Sequence, residues 1–296
     1  MAQPANSVAV PVPGRLPALA PRARSLVFVM LLPLLLYLAL LYALPVAGMM
    51  LRSVAEPTWT LANFAELAEE PVYAKVLWIT LRISLVVTVA VLLLGYPVAY
   101  LLARLPPARS NLLMILVLLP FWSSILVRSY AWMVLLGRTG IINQLLLWIG
   151  VIEAPLKLLN TTFAVYVAMV HVLLPFMILP LFASLRAIDP NLLRAGASLG
   201  ARPAAVFRRI VLPLSLPGVS AGCLLVFILS LGFYITPALV GGPRDLMMAI
   251  LIEQQIDHFH WPIGSALGVV LLAAALAIFA VLTRALRVEQ TFQARA

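Results

Sequence analysis

Residues 162–185, TFAVYVAMVHVLLPFMILPLFASL, run without a charged side chain into residues 186–213, RAIDPNLLRAGASLGARPAAVFRRIVLP, and the contrast between the two decides the fold. The first stretch is long enough for a helix to cross a hydrocarbon core, which takes about 20 apolar residues. The second carries Arg186, Arg194, Arg202, Arg208 and Arg209 and belongs outside the lipid. Working outward, apolar runs recur near 25–51, 76–103, 111–136, 214–236 and 262–286, so six spans are expected. The run 111–136 is the least regular, because Pro120, Ser123, Ser124 and Arg128 interrupt it. A weaker apolar patch, 141–152, reads as a partial or interfacial helix.

Composition agrees. The 296 residues are 64% hydrophobic and 10% charged, with mean hydropathy +1.09, whereas a soluble domain is about 45–50% apolar and about 25% charged. The fold class is therefore all-α, a polytopic helical membrane protein. The net charge of +10 does not point to nucleic acid, since the basic residues sit in short segments between apolar runs. A lone Cys223 inside such a run excludes a disulfide framework within the chain. Arg15, Arg22 and Arg24 precede an apolar stretch as in a secretory leader, but 25–51 far exceeds the roughly 7–15 residues of a leader core, so an uncleaved first span is expected.

Basic residues assign the sides. With the amino terminus inside, Arg15, Arg22, Arg24, Arg104, Arg109, Arg186, Arg194, Arg202, Arg208, Arg209, Arg284, Arg287 and Arg295 fall on the cytoplasmic face, 13 of the 20. That bias puts both termini in the cytoplasm. The expected organisation is a proline-rich cytoplasmic tail over 1–24, a membrane domain over 25–288 that includes the loop 187–212, and a short cytoplasmic tail over 289–296.

No phosphate loop of the form G-x-x-x-x-G-K-[ST] exists, because the only lysines are Lys75 and Lys157, preceded by Ala74 and Leu156. No Asp or Glu falls mid-span, and no internal repeat is visible, so an ion-coupled carrier or channel is the weaker alternative. No catalytic constellation is expected. Within the basic loop, Asp189 is the natural N-cap and Pro190 the first helical residue of a short helix ending near Leu199, with Gly200 as its stop. The small residues Ala195, Gly196, Ala197 and Gly200 would admit close approach of another protein. A second short helix over 203–210 turns Val206, Phe207 and Ile210 to one side and Arg208 and Arg209 to the other, and Pro213 and Pro217 are expected to break the chain as it returns to the membrane.

This loop resembles the signature of permease subunits of binding-protein-dependent ABC importers, usually written E-A-A, three residues, G, nine residues, I-x-L-P. Here it stands as Arg194-Ala195-Gly196, Gly200 and Ile210-Val211-Leu212-Pro213. Likeness to the spermidine/putrescine-type branch extends to residues 118–122, LLPFW, residues 126–132, LVRSYAW, and residues 231–243, LGFYITPALVGGP. The resemblance implies a bacterial inner-membrane, multi-pass subunit of the type I importer fold. It pairs with a second permease, a paralogue or a second copy, and works with a cytoplasmic ABC ATPase dimer and a periplasmic solute-binding protein. ATP and Mg would be bound by that ATPase, with no cofactor in this chain. The loop would be a coupling helix whose Ala195, Gly196, Leu199, Gly200 and Ala201 contact the ATPase, flanked by Arg202 and Arg208, with Arg194 in place of the usual Glu. The implied solute is a polyamine, with an amino acid derivative or another small organic cation as alternatives.

The remaining notable residues carry further expectations. Phe233, Tyr234 and Thr236, with Trp122 and Arg128, are candidate pathway residues, since aromatic faces attract ammonium groups. Arg82 reads as an interfacial anchor. Glu253, Asp257, His258 and His260 suit a surface or re-entrant segment facing the binding protein better than a metal site. His171 reads as an interhelical hydrogen-bonding residue, and Asn160-Thr161-Thr162 as a helix N-cap before the fourth span rather than a glycosylation site.

Overall fold

A computed structural model describes residues 21–56 and 59–293, and among these no strand occurs. Six helical segments are long and apolar enough to cross a membrane: Met30–Ala55, Pro71–Arg104, Ile125–Trp148, Thr162–Arg186, Pro203–Leu231 and Trp261–Val281. The expected tail over 1–20 lies outside the described residues. The next four residues, 21–24, are already helical, because Pro21 takes a first-turn position where its missing N–H costs nothing. At the other end the helix that opens at Trp261 runs to Gln293, past residue 288 where a tail was expected.

The chain divides into two compact units, Met1–Met49 and Met50–Ala296. In the first, helix Pro21–Leu38 widens into a π turn at Ala39–Ala43, closed by the Leu44 N–H on the Ala39 carbonyl, before Pro45. The second unit repeats the device. There Phe207–Val211 forms a π turn, closed by the Leu212 N–H on the Phe207 carbonyl, directly before Pro213. A proline ring collides with the carbonyl four residues back, and a widened turn relieves that collision. This corrects the expectation that Pro213 and Pro217 break the chain: the helix runs unbroken over Pro203–Leu231.

At the centre of the second unit stands Thr162–Arg186, with Val165, Ala168, Met169, Leu173, Met177, Ile178 and Leu181 all buried. It packs against Pro71–Arg104 through Ile83, Val87, Val91 and Ala99, and against the helix ending at Leu231 through Gly218 and Gly222. Those two glycines, four apart, let the backbones close in. A Cβ on Gly218 would lie 2.5 Å from Ser184 Cβ, and one on Gly222 would lie 2.6 Å from Met177 Sδ. Between membrane helices, where burial of apolar surface drives little, such small-residue contacts are what dispersion needs. Gly95 does the same for Pro71–Arg104, with Met177 Cγ at 3.3 Å from its would-be Cβ.

The run expected as one span over 111–136 is two helices. Pro107–Leu118 tightens to a 3-10 turn over Leu119–Trp122, Ser123 and Ser124 are extended, and a new helix runs Ile125–Leu136. Pro120 removes a donor, and the Ser123 hydroxyl and N–H both return to the Pro120 carbonyl, so the polar groups freed by the break are met locally. The patch after it forms helix Ile141–Trp148, as expected. Buried Asn143 staples it, donating to the Gly137 and Leu156 carbonyls at 3.0 Å and accepting from Leu156 N–H.

Candidate functional site

The end of the bundle bearing the loop after Arg186 holds the first group of predicted residues. Asp189 caps the helix Pro190–Ser198, its carboxylate accepting the Asn191 N–H at 2.9 Å, and Gly200 ends the segment at φ +77°, a left-handed conformation that glycine adopts without strain. Arg194, Ala195, Ala201, Arg202 and Arg208 are exposed, and Leu199 is 88% exposed. Gly196 is not. It faces inward, its would-be Cβ 3.1 Å from Ile210 Cδ1 and 3.4 Å from Val206 Cγ2, so this small residue seats the short helix on the next one. Arg202, Arg208 and Arg209 line a groove with Ala204 and Ala205. Among the described residues the one ion pair is Arg52–Glu56, so none of these loop arginines is neutralised by a carboxylate within the described chain.

Behind the loop, Phe207 inserts between two tyrosines of Pro71–Arg104. Its ring meets Tyr96 and Tyr100 edge-on at 5.9 and 5.5 Å, and the Tyr96 and Ser215 hydroxyls hydrogen-bond at 2.9 Å. The loop thus joins the second and fifth spans through side chains that the sequence reading assigned no role.

At the opposite end, the chain after Leu231 does not stay at the surface. Following Gly232, a short helix Ile235–Val240 packs back against Ile125–Leu136 and Thr162–Arg186, with Thr236, Pro237 and Val240 buried. Thr236 shares a 2.9 Å hydrogen bond with Ser129 and has no exposure, which removes it from the open pathway surface in this conformation. Arg128, the neighbour of Ser129, is half-buried, and its Nε and one terminal nitrogen are enclosed without an acceptor. Phe233 packs on the core, whereas Trp122 is 85% exposed at the break in the third segment, edge-on to Phe121. The structure therefore places Arg128 and Thr236 at neighbouring helices through Ser129, and leaves Trp122 on a separate element. Arg82 is exposed along its span.

Tyr234 opens into a cavity of about 520 Å³ with Asn160, Lys157, Asp245, Glu253 and Gln254 on its walls. Its phenol is held above the ordinary value of 10.0, chiefly by the neighbouring Glu253 carboxylate, then by slight desolvation and the charge of Asp257. Glu253 was expected on a surface or re-entrant segment; helix Met248–Asp257 places it beside Tyr234 on the cavity wall. No local signal shows this, because 18 residues, with a helix that packs back into the bundle, lie between the two. The cavity floor is locked by buried Asp245, which accepts from the Thr162 hydroxyl and, at 3.1 Å, from the Gly242 N–H. Gly242 is required there, since a Cβ would lie 2.5 Å from the Asn160 carbonyl oxygen.

Two single-residue expectations hold in the geometry. Trp132 Nε1 donates to His171 Nδ1 at 3.2 Å between adjacent spans, and the Thr161 hydroxyl accepts from the Ala164 N–H as a helix cap. Among the described residues no group of three or more His, Cys, Asp or Glu is placed to hold a metal ion.

Comparison with known proteins adds three findings. The family model described as binding-protein-dependent transport system inner membrane component matches residues 92–288. The spermidine/putrescine transport system permease protein PotB of Haemophilus influenzae is 38% identical over 265 residues, 86% of this chain and 88% of that protein, and PotB of Escherichia coli K12 is 39% identical over 220 residues, 74% and 80% respectively. In fold, the chain is similar to a crystal structure of a bacterial ABC transporter involved in import of the acidic polysaccharide alginate, with TM-score 0.75 and 18% identity over 90% of this chain and 96% of the other.

Proposed function

Because the chain belongs to the inner-membrane components of binding-protein-dependent transport systems, we propose that it is the permease subunit of a polyamine ABC importer, carrying spermidine, putrescine or a close relative. What supports the solute is the identity with spermidine/putrescine permeases across most of both chains. The tyrosine–carboxylate cavity is chemically apt, since an ammonium group gains both from a ring face and from a carboxylate. An amino acid derivative or other small cation is the runner-up solute.

The loop after the fourth span is the coupling helix, and a separate ATPase dimer, which holds ATP and Mg, docks there. One observation carries this part: Leu199, an apolar side chain, stands almost fully exposed beside a glycine turn and among arginines that no carboxylate of the described residues pairs. A partner surface with an apolar pocket would cover it, with acidic groups facing Arg202 and Arg208. The loop end then faces the cytoplasm with both termini, and the Tyr234 cavity faces the binding protein. ATP-driven closure of the ATPase dimer moves the coupling helices together and opens the outer end to the docked binding protein, and hydrolysis restores the inward-facing state. A second permease completes the pathway. This chain performs no chemistry of its own.

The test is affinity capture of the tagged chain from its native host in mild detergent, with Leu199→Asp alongside. Recovery of an ABC ATPase that Leu199→Asp loses is the expected result. Recovery of the chain without any ATPase, with the variant unchanged, would overturn the coupling assignment. Arg194→Glu should leave the complex intact.

A further inference from the structure

At the loop end a cavity of about 380 Å³ opens between the last turns of Pro71–Arg104 and Thr162–Arg186 and the start of the loop helix. Its walls are apolar at Leu105, Leu185, Ile188, Leu193 and Val211, and two guanidiniums stand at it, Arg104 and Arg186. Among the described residues neither is paired with a carboxylate. Arg104 lies 4.5 Å above the Tyr100 ring, and Arg186 lies over Phe182 at 6.0 Å while donating to the Leu105 carbonyl at 3.4 Å. The nearest acid along the chain, Asp189, does not line the cavity, and its carboxylate caps the loop helix.

We propose that this cavity binds the phosphodiester headgroup of an anionic phospholipid, with the start of an acyl chain along its apolar wall. Charge supports it. Both arginines sit in the last turn of a long helix, and each helix C-terminus carries about half a negative charge, so the two guanidiniums leave about one positive charge, which matches a single phosphodiester. Position supports it too, since the cavity lies at the ends of two spans. Basic pockets between membrane helices on the cytoplasmic side are known binders of anionic lipid heads. A free phosphate ion would satisfy the guanidiniums but would leave the leucine and isoleucine wall wet. Pro190 and Leu193 of the loop helix line the same cavity, so the lipid braces the coupling element against the second and fourth spans.

The experiment uses the whole detergent-extracted complex, equilibrated with mixed micelles of phosphatidylcholine and phosphatidylglycerol, with bound lipid read by native mass spectrometry. The wild type is expected to retain phosphatidylglycerol over phosphatidylcholine. The double variant Arg104→Gln/Arg186→Gln is expected to lose that preference by about tenfold or more, given that each arginine near an anionic surface contributes on that scale. Arg104→Lys/Arg186→Lys, which keeps the charge, should retain most of the preference and shows that loss in the Gln variant is not misfolding. Arg138→Gln, exposed at the opposite end, should change nothing. Equal retention in wild type and the double Gln variant would overturn the proposal. So would displacement of the lipid by millimolar inorganic phosphate, which would make the site one for a free anion.

Discussion

Gly218→Ala tests the packing that holds the central span in place. The added carbon would lie 2.5 Å from Ser184 Cβ and 2.8 Å from the Pro180 carbonyl oxygen. Carbon atoms prefer about 3.5–4.0 Å, so the fourth and fifth spans must part by about 1 Å where they are closest. Neither obstacle is the end of a flexible side chain, and each moves only with its helix. Overpacking of this kind costs about 1–3 kcal/mol, and the better helix propensity of alanine returns about 1 kcal/mol. Gly268→Ala is the matched control: it lies in the helix opening at Trp261 with nothing within 4 Å of the new carbon, so it keeps the propensity gain without a clash. Because the propensity gain is common to both, the two variants should differ by the overpacking cost, about 1–3 kcal/mol. Thermal unfolding of the purified chain in detergent, at roughly 2–4 °C per kcal/mol, should place Gly218→Ala about 2–12 °C below Gly268→Ala. Gly222→Ala should fall between them, because its main obstacle, the Met177 sulfur, can swing aside. If Gly218→Ala melts with or above Gly268→Ala, the close helix approach does not exist.

Glu253→Gln should lower the ionisation midpoint of Tyr234 towards 10.0, read as the ultraviolet titration difference between each background and its Tyr234→Phe partner. The sign follows from a raised folded value: the protonated phenol persists below pH 10 and is lost only as pH rises through the shifted value. An unchanged midpoint would separate Tyr234 from Glu253. Thr162→Val should leave Asp245 short of a donor, at a cost of about 1–3 kcal/mol, and trypsin should then cut after Arg244 faster than in the wild type. Trp132→Phe should lower the melting temperature by only about 1–2 °C, since hydrogen bonds between membrane helices average about 0.6 kcal/mol; a much larger drop would point to a role beyond the His171 bond.

Much of this protein is legible in its sequence because the determining physics is local. Lipid forces apolar side chains outward and backbone pairing inward, so run length alone announces the spans. Asp189, Pro190, Thr161 and Gly200 act on N–H and carbonyl groups within a few residues, and the structure places each as a cap or stop where the chain order puts it. The tertiary structure decided everything that depends on which face meets which neighbour. A glycine reads the same whether it welcomes a partner or seats its own helix, and only the positions of Val206 and Ile210 turn Gly196 inward. A proline reads as a break, yet a π turn ahead of Pro213 carries the helix through it. Glu253 becomes part of the Tyr234 cavity only because Ile235–Val240 folds back into the bundle, a long-range packing choice that hydropathy, averaged along the chain, does not register.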